Sequence, residues 1–116
     1  MQFMALIYNA EGADASYEGG MEQIMADYWK FGEEAREAGV MVAGDALEAV
    51  STATSVRIRN GQTELTDGPF AETKEALGGY YLLECKDLDQ ALEWAAKIPT
   101  AKYGTIEVRP VMVFDN

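Results

Sequence analysis

The sequence predicts an α+β domain, a ferredoxin-like βαββαβ sandwich on an antiparallel sheet with a β-hairpin inserted. Three observations carry the prediction. Short apolar runs alternate with two amphipathic helical stretches; an Asn-Gly pair sits between two strand-like segments; and no linker, repeat or low-complexity tract divides the 116 residues. Residues 1–116 are therefore read as one domain, long enough to bury about two-thirds of its unfolded surface on folding.

Phe3 to Tyr8 is a nearly continuous apolar run closed by the turn residues Asn9-Ala10-Glu11-Gly12, which reads as a central strand buried on both faces. From Glu18 to Ala38, Met21, Ile24, Met25, Tyr28, Phe31, Ala35 and Ala38 recur three or four apart, with charged residues on the other side. This predicts a helix whose stripe, Met21 and Met25 included, enters the core and which Gly39 stops. Val40 to Leu47 reads as a strand thinned by Ala and Gly44, where something can approach closely. Ser51 to Thr54 is a polar break. Ser55–Arg59, Asn60-Gly61 and Gln62–Thr66 form a hairpin on a type I′ turn, which sets Arg57 opposite Glu64 and Val56 opposite Leu65.

Asp67-Gly68-Pro69-Phe70 begins a loop that continues through Glu72-Thr73-Lys74-Glu75. Gly78-Gly79 reads as a bend before a third core strand, Tyr80 to Cys85. Asp87 with Gln90 is a capping-box variant opening a helix on which Leu88, Ala91, Leu92 and Ala95 share a stripe, closed by Pro99. Thr105 to Phe114 reads as a long last strand. Glu107, Arg109, Val111 and Val113 lie on one of its faces, and Pro110 points to a sheet edge or a bulge.

Both helices of such a fold cover one sheet face, so the other face would turn polar if it met water. It does not: Met4, Leu6 and Tyr8 are apolar opposite Phe3, Ala5 and Ile7, and Tyr80 and Leu82 stand opposite Tyr81 and Leu83. A second copy packed face to face is the expected cover, making a two-fold homodimer, a dimeric α+β barrel.

The balance of 9 basic and 20 acidic residues, net charge −11, argues against nucleic acid and anionic membranes as partners. The 48% apolar and 25% charged composition is that of a globular domain, and neither a signal peptide nor a spanning segment is legible, so a cytoplasmic location is expected. With no histidine and one cysteine, Cys85, the chain lacks the parts for zinc sites, for Cys/His or Ser/His/Asp nucleophiles and for intrachain disulfides. Neither metal nor cofactor is expected. Cys85 reads as a small buried hydrophobe.

These residues together resemble the YCII-related family, in its DGPF branch, within the dimeric α+β barrel superfamily. The carriers are Met4-Ala5-Leu6-Ile7-Tyr8, Gly44-Asp45-Ala46-Leu47, the block from Thr66 through Asp67-Gly68-Pro69-Phe70 to Glu75, Gly78-Gly79-Tyr80-Tyr81, and Ile106-Glu107-Val108-Arg109-Pro110-Val111. The resemblance implies a ferredoxin-like homodimer with a cleft between the sheet and the motif loops. Members are mostly uncharacterised, and some are similar to proteins found alongside extracytoplasmic-function sigma factors. A His and Asp acid/base pair ascribed to the wider group has no histidine here to carry it.

The candidate site residues follow from side-chain chemistry. Asp67 and Glu72 are the expected acid/base carboxylates, although Asp67 also suits capping of its own turn and Glu72, Lys74 and Glu75 suit a solvated loop. Arg109, beside Glu107, offers a planar fork to a carboxylate, or pairs with Glu107. Tyr8, Phe70, Lys74 and Tyr80 complete the expected binding set, with Phe70 also suited to anchoring its loop. One function is binding, and transformation, of a small anionic or aromatic metabolite in a cleft of the homodimer without metal. The alternative is a non-catalytic sensing or interaction module docking a regulatory protein partner such as a sigma factor.

Overall fold

A computed structural model describes residues 1–115. Six strands and two helices follow in order: β1 (Gln2–Asn9), α1 (Gly20–Glu37), β2 (Met41–Ala46), β3 (Thr54–Arg59), β4 (Gln62–Asp67), β5 (Ala76–Glu84), α2 (Leu88–Ala95) and β6 (Thr105–Pro110). A four-stranded antiparallel sheet runs β2-β5-β1-β6, and β3 and β4 form a separate two-stranded sheet. This is the expected α+β arrangement, with β1 inside the sheet and the hairpin inserted after β2.

Local chemistry accounts for the element ends. Gly19 and Gly20 both take positive φ, so α1 starts after Glu18 rather than at it. At its other end Gly39 is left-handed (φ 76°). Val40 N–H there donates to Ala35 O at 3.0 Å and Gly39 N–H to Arg36 O at 3.0 Å, a Schellman stop that swings the buried Val40 back onto the core. Asp87 caps α2 by accepting from Gln90 N–H at 2.9 Å, and Gln90 Oε1 accepts from Lys86 N–H at 2.7 Å. The hairpin turns on Asn60 (φ 53°) and Gly61 (φ 76°), and its register sets Arg57 against Glu64 and Val56 against Leu65 as expected.

The core lies between the helices and one sheet face: Phe3, Ala5, Ile7 and Leu83 from strands, Phe31 and Ala35 from α1, Ala91 and Ala95 from α2, with Ile98 and the buried thiol of Cys85. On α2 only the alanines are inside, while Leu88 and Leu92 stay 47% exposed.

Three expectations are corrected. The last strand ends at Pro110, not Phe114: Val111 N–H makes a final bond to Gln2 O at 2.9 Å, and Pro110, with no N–H, stands on edge strand β6 where its missing donor leaves no gap. Gly78 and Gly79 are not a bend but lie within β5, because a Cβ on Gly79 would sit 2.9 Å from Asp45 O; the irregularity falls instead on β1, where the pairing shifts between Ile7 and Tyr8. Met21 and Met25 are not core: they are 58% and 67% exposed, and Trp29 is 67% exposed on the same flank, four residues on. Their flank of α1 overhangs strand β2, which is too thinly clothed to reach them.

Candidate functional site

The thin strand and the overhanging helix flank leave a hollow between them. Gly44 of β2 pairs with Tyr81 of β5, so both face the helices, and the Tyr81 ring lies where a Gly44 side chain would be. Ala46 pairs with Gly79 on the same face. With almost no side chains on that strip of sheet, α1 cannot close onto it, and a cavity of about 680 Å³ opens. Met21, Met25, Tyr28 and Trp29 of α1 wall it on one side, and Gly44, Ala46, Gly79 and Tyr81 on the other. Ile7, Ile24, Thr100 and Tyr103 also line it. Volume and apolar, aromatic lining both suit a small organic molecule.

Its polar groups are few. Arg36, at the end of α1, folds its guanidinium back over Gly32; a Cβ there would be 3.2 Å from Nη2, so a glycine in mid-helix is what lets the charge lie along the cavity wall. The Arg36 charge pulls the Tyr81 phenol down, but burial prevails and leaves Tyr81 above its ordinary value. Among the described residues Arg36 forms no ion pair. Asp14 lies on the 3-10 turn Ala13–Ser16 and contributes a carboxylate to the lining.

Three hydroxyls meet on one wall. Tyr28 Oη and Tyr103 Oη both bond Thr100 Oγ1, at 2.5 and 3.2 Å, and Thr100 is 4% exposed. Burial pushes the Tyr28 phenol up to about 12, against the lowering effect of its bond to Thr100. Tyr28 is thus a proton-bearing, neutral wall at physiological pH.

The residues expected from sequence fall into two other groups. Tyr8, Tyr80, Glu107 and Arg109 share the sheet face away from the helices but lie in separate rows of the ladder: Leu6 stands between Tyr80 and Glu107, Met4 between Leu82 and Arg109, and Tyr8 against Thr105. Tyr80 and Asp45 border the cavity through their strands, but alternation turns their side chains to this outer face, where Tyr80 Oη donates to Asp45 Oδ2 at 2.7 Å. That bond raises the Tyr80 pKa. Glu107 and Arg109 are 4.0 Å apart at their nearest atoms, both exposed, a loose pair of small energetic worth in a single chain.

Asp67, Phe70, Glu72 and Lys74 form the second group. Asp67 ends β4, the others follow in the loop, all are exposed, and none lines the cavity. The loop is tied locally: Gly68 N–H donates to Ala53 O at 2.6 Å, Ser55 Oγ to Gly68 O at 2.9 Å, and Thr73 Oγ1 to Glu75 O at 2.6 Å.

Sequence reasoning missed Arg36, Gly32 and Asp14. Arg36 was legible only as a favourable charge at a helix end; the available signal was a glycine four residues before an arginine on the flank carrying Met25 and Trp29.

A YCII-related domain matches residues 1–115, the whole of the fold just described. The chain belongs to the YCII-related family. An uncharacterised protein of Rhizobium meliloti is 35% identical to this YCII-related protein over 117 residues, covering 98% of this chain and 94% of that one. Among solved structures, 5-chloro-2-hydroxyhydroquinone dehydrochlorinase from Burkholderia phenoliruptrix, in complex with 2,5-dihydroxybenzoquinone, is similar with a TM-score of 0.57 at 12% identity, over 97% of this chain and 94% of that chain. That likeness is one of fold. Among the described residues no helix is long and apolar enough to cross a membrane.

Proposed function

We propose that this YCII-related protein binds a small aromatic molecule bearing an acidic group in the cavity beneath α1, and acts on it by proton transfer without a metal. The observation that carries the reading is Arg36: an exposed cation that forms no ion pair among the described residues, laid along the wall of a cavity whose other faces are Tyr28, Trp29, Tyr81 and two methionines. A planar ring would stack among the aromatics, and its carboxylate or phenolate would meet the guanidinium fork. Asp14 is the carboxylate placed to take a proton from the occupant, and the Tyr28–Thr100–Tyr103 hydroxyls supply neutral donors. The similar dehydrochlorinase fold, which holds a dihydroxybenzoquinone, supports a small hydroxylated ring as the occupant.

In this reading Tyr8, Tyr80, Glu107 and Arg109 belong to the seam of a homodimer formed through the outer sheet face, where the half-buried Met4, Leu6 and Leu82 supply the apolar contact.

The test is calorimetric titration with a panel of benzoates, hydroxybenzoates and hydroxylated quinones. Arg36→Met should weaken the best binder about 10- to 100-fold, the worth of one charge-assisted contact, with the melting temperature unchanged. Equal affinity in the variant would remove the cavity from the reading.

One observation favours a second reading. Phe70 is 75% exposed at the tip of the Asp67-Gly68-Pro69-Phe70 loop, an aromatic residue presented rather than buried. In a non-catalytic interaction module this loop, with Glu72 and Lys74, would dock a regulatory protein. Phe70→Ser separates the two, since it leaves cavity binding intact and removes a loop-docked partner.

A further inference from the structure

The hairpin of β3 and β4 is two-faced, and nothing among the described residues covers its apolar side. Pairing of Val56 with Leu65 and of Ile58 with Thr63 places Val56, Ile58 and Leu65 on one face, 63%, 67% and 71% exposed; Arg57 and Glu64 lie on the other. No other strand is hydrogen-bonded to it among the described residues. A lone two-stranded hairpin is marginal in water, so one with an apolar face needs a surface to rest on.

A second unpartnered apolar stretch lies after β6. Met112, Val113 and Phe114 are 72%, 85% and 74% exposed once the chain leaves the ladder at Pro110. The hairpin grows from β2 and this stretch from β6, at opposite edges of the sheet order β2-β5-β1-β6. They are thus far apart within one chain.

The surface area fits a second copy as the occupant. The chain exposes 8379 Å², whereas a compact monomer of its mass exposes about 6,200 Å². The excess, about 2,000 Å², lies in the range one protomer buries in an obligate homodimer, about 1,000–2,500 Å².

We propose that the hairpin is a dimer arm whose Val56–Ile58–Leu65 face clasps the Met112–Phe114 stretch of a second copy, and is clasped back at the symmetry-related position. The proposal rests on the face-to-face dimer above. β2 ends level with Gly79 and Ile7, and β6 ends level with Phe3, so the arm and the stretch leave diagonally opposite corners of the sheet. A two-fold axis between two stacked sheets, diagonal to the strands so that the sheets cross near-orthogonally, sets one corner of each copy over the other corner of its partner and brings each arm to the stretch that its own chain cannot offer it.

Two measurements test it. Ile58→Cys protein mixed with Val113→Cys protein under mild oxidation should give predominantly the mixed disulfide dimer, Cys85 being too buried to compete. Leu65→Asp, at a position exposed in the single chain, should fold normally yet raise the dimer dissociation constant at least about tenfold by analytical ultracentrifugation. Links only between like variants, or a Leu65→Asp dimer as tight as the parent, overturn the arm. If Leu6→Asp dissociates the dimer while Leu65→Asp does not, the face-to-face dimer stands and the arm falls. A parent chain that stays monomeric at high concentration removes both.

Discussion

Tyr28 shows how a single side chain links fold stability to the candidate site. Its ring packs toward Tyr81, 6.5 Å between centroids, and its hydroxyl meets the buried Thr100, so ionisation would put charge into a wall with no cation bonded to it. The folded phenol titrates at about 12 against an ordinary 10.0. A folded pKa above the unfolded one means that the native state holds a proton the unfolded chain releases. The stability it contributes is full below pH 10 and is lost as pH rises toward 12. Tyr17 shifts to about 12 as well, chiefly through donation to Asp27 Oδ2 at 2.6 Å. The urea midpoint should therefore fall across this window. Tyr28→Phe should start lower at neutral pH, having lost the Thr100 bond, but decline less steeply; an identical slope would show that Tyr28 is not a source of the linkage.

Among the elements, β2 matters most for the site because of what it lacks. Gly44 faces the Tyr81 ring so closely that a Cβ would overlap it, and Tyr81 is in turn wedged against Phe31 at 5.0 Å between centroids. Gly44→Ala should therefore destabilise the fold by about 1–3 kcal/mol through overpacking, lowering the urea midpoint with the m-value unchanged. The same change would push Tyr81 into the cavity and lower its affinity for an aromatic occupant. Gly78→Ala is the control, since its Cβ would meet Asn9 Oδ1, a side-chain atom, at 3.3 Å and Ile7 O at an ordinary 3.9 Å. Elements whose signals are local are legible in the sequence: the Schellman stop at Gly39, the Asp87 cap and the Asn60-Gly61 register each depend on residues a few positions apart. The end of β6 is not. Alternation continues past Pro110 to Phe114, and only the loss of a partner strand beyond Gln2 stops the ladder.

For the molecule as a whole, net charge opposes the proposed dimer. Two chains of charge −11 repel over a range that salt shortens, from about 30 Å at 0.01 M to about 8 Å at 0.15 M. Association through apolar faces should thus tighten as sodium chloride is raised across this range, the reverse of an interface built on opposite charges. Sedimentation at the two ionic strengths checks the sign, and weaker association at high salt would point to a charge-paired seam, with Glu107 and Arg109 as its first suspects.

The alternation of strands and helices, the hairpin with its register, and the apolarity of both sheet faces are written in spacings of two to four residues, so the amino-acid order alone is enough to specify them. Composition also limits the chemistry, since a chain without histidine and with one buried cysteine has carboxylates, hydroxyls, phenols and cations to work with. Where those groups meet depends on folding. The cavity arises because a strand stripped to Gly44 and Ala46 lies under the Met21–Met25–Trp29 flank of a helix, so α1 overhangs instead of packing, and Gly32 lets the exposed Arg36 fold back along the cavity's edge. No pattern within one segment encodes that gap, because it is a difference between two surfaces that only the folded chain brings face to face.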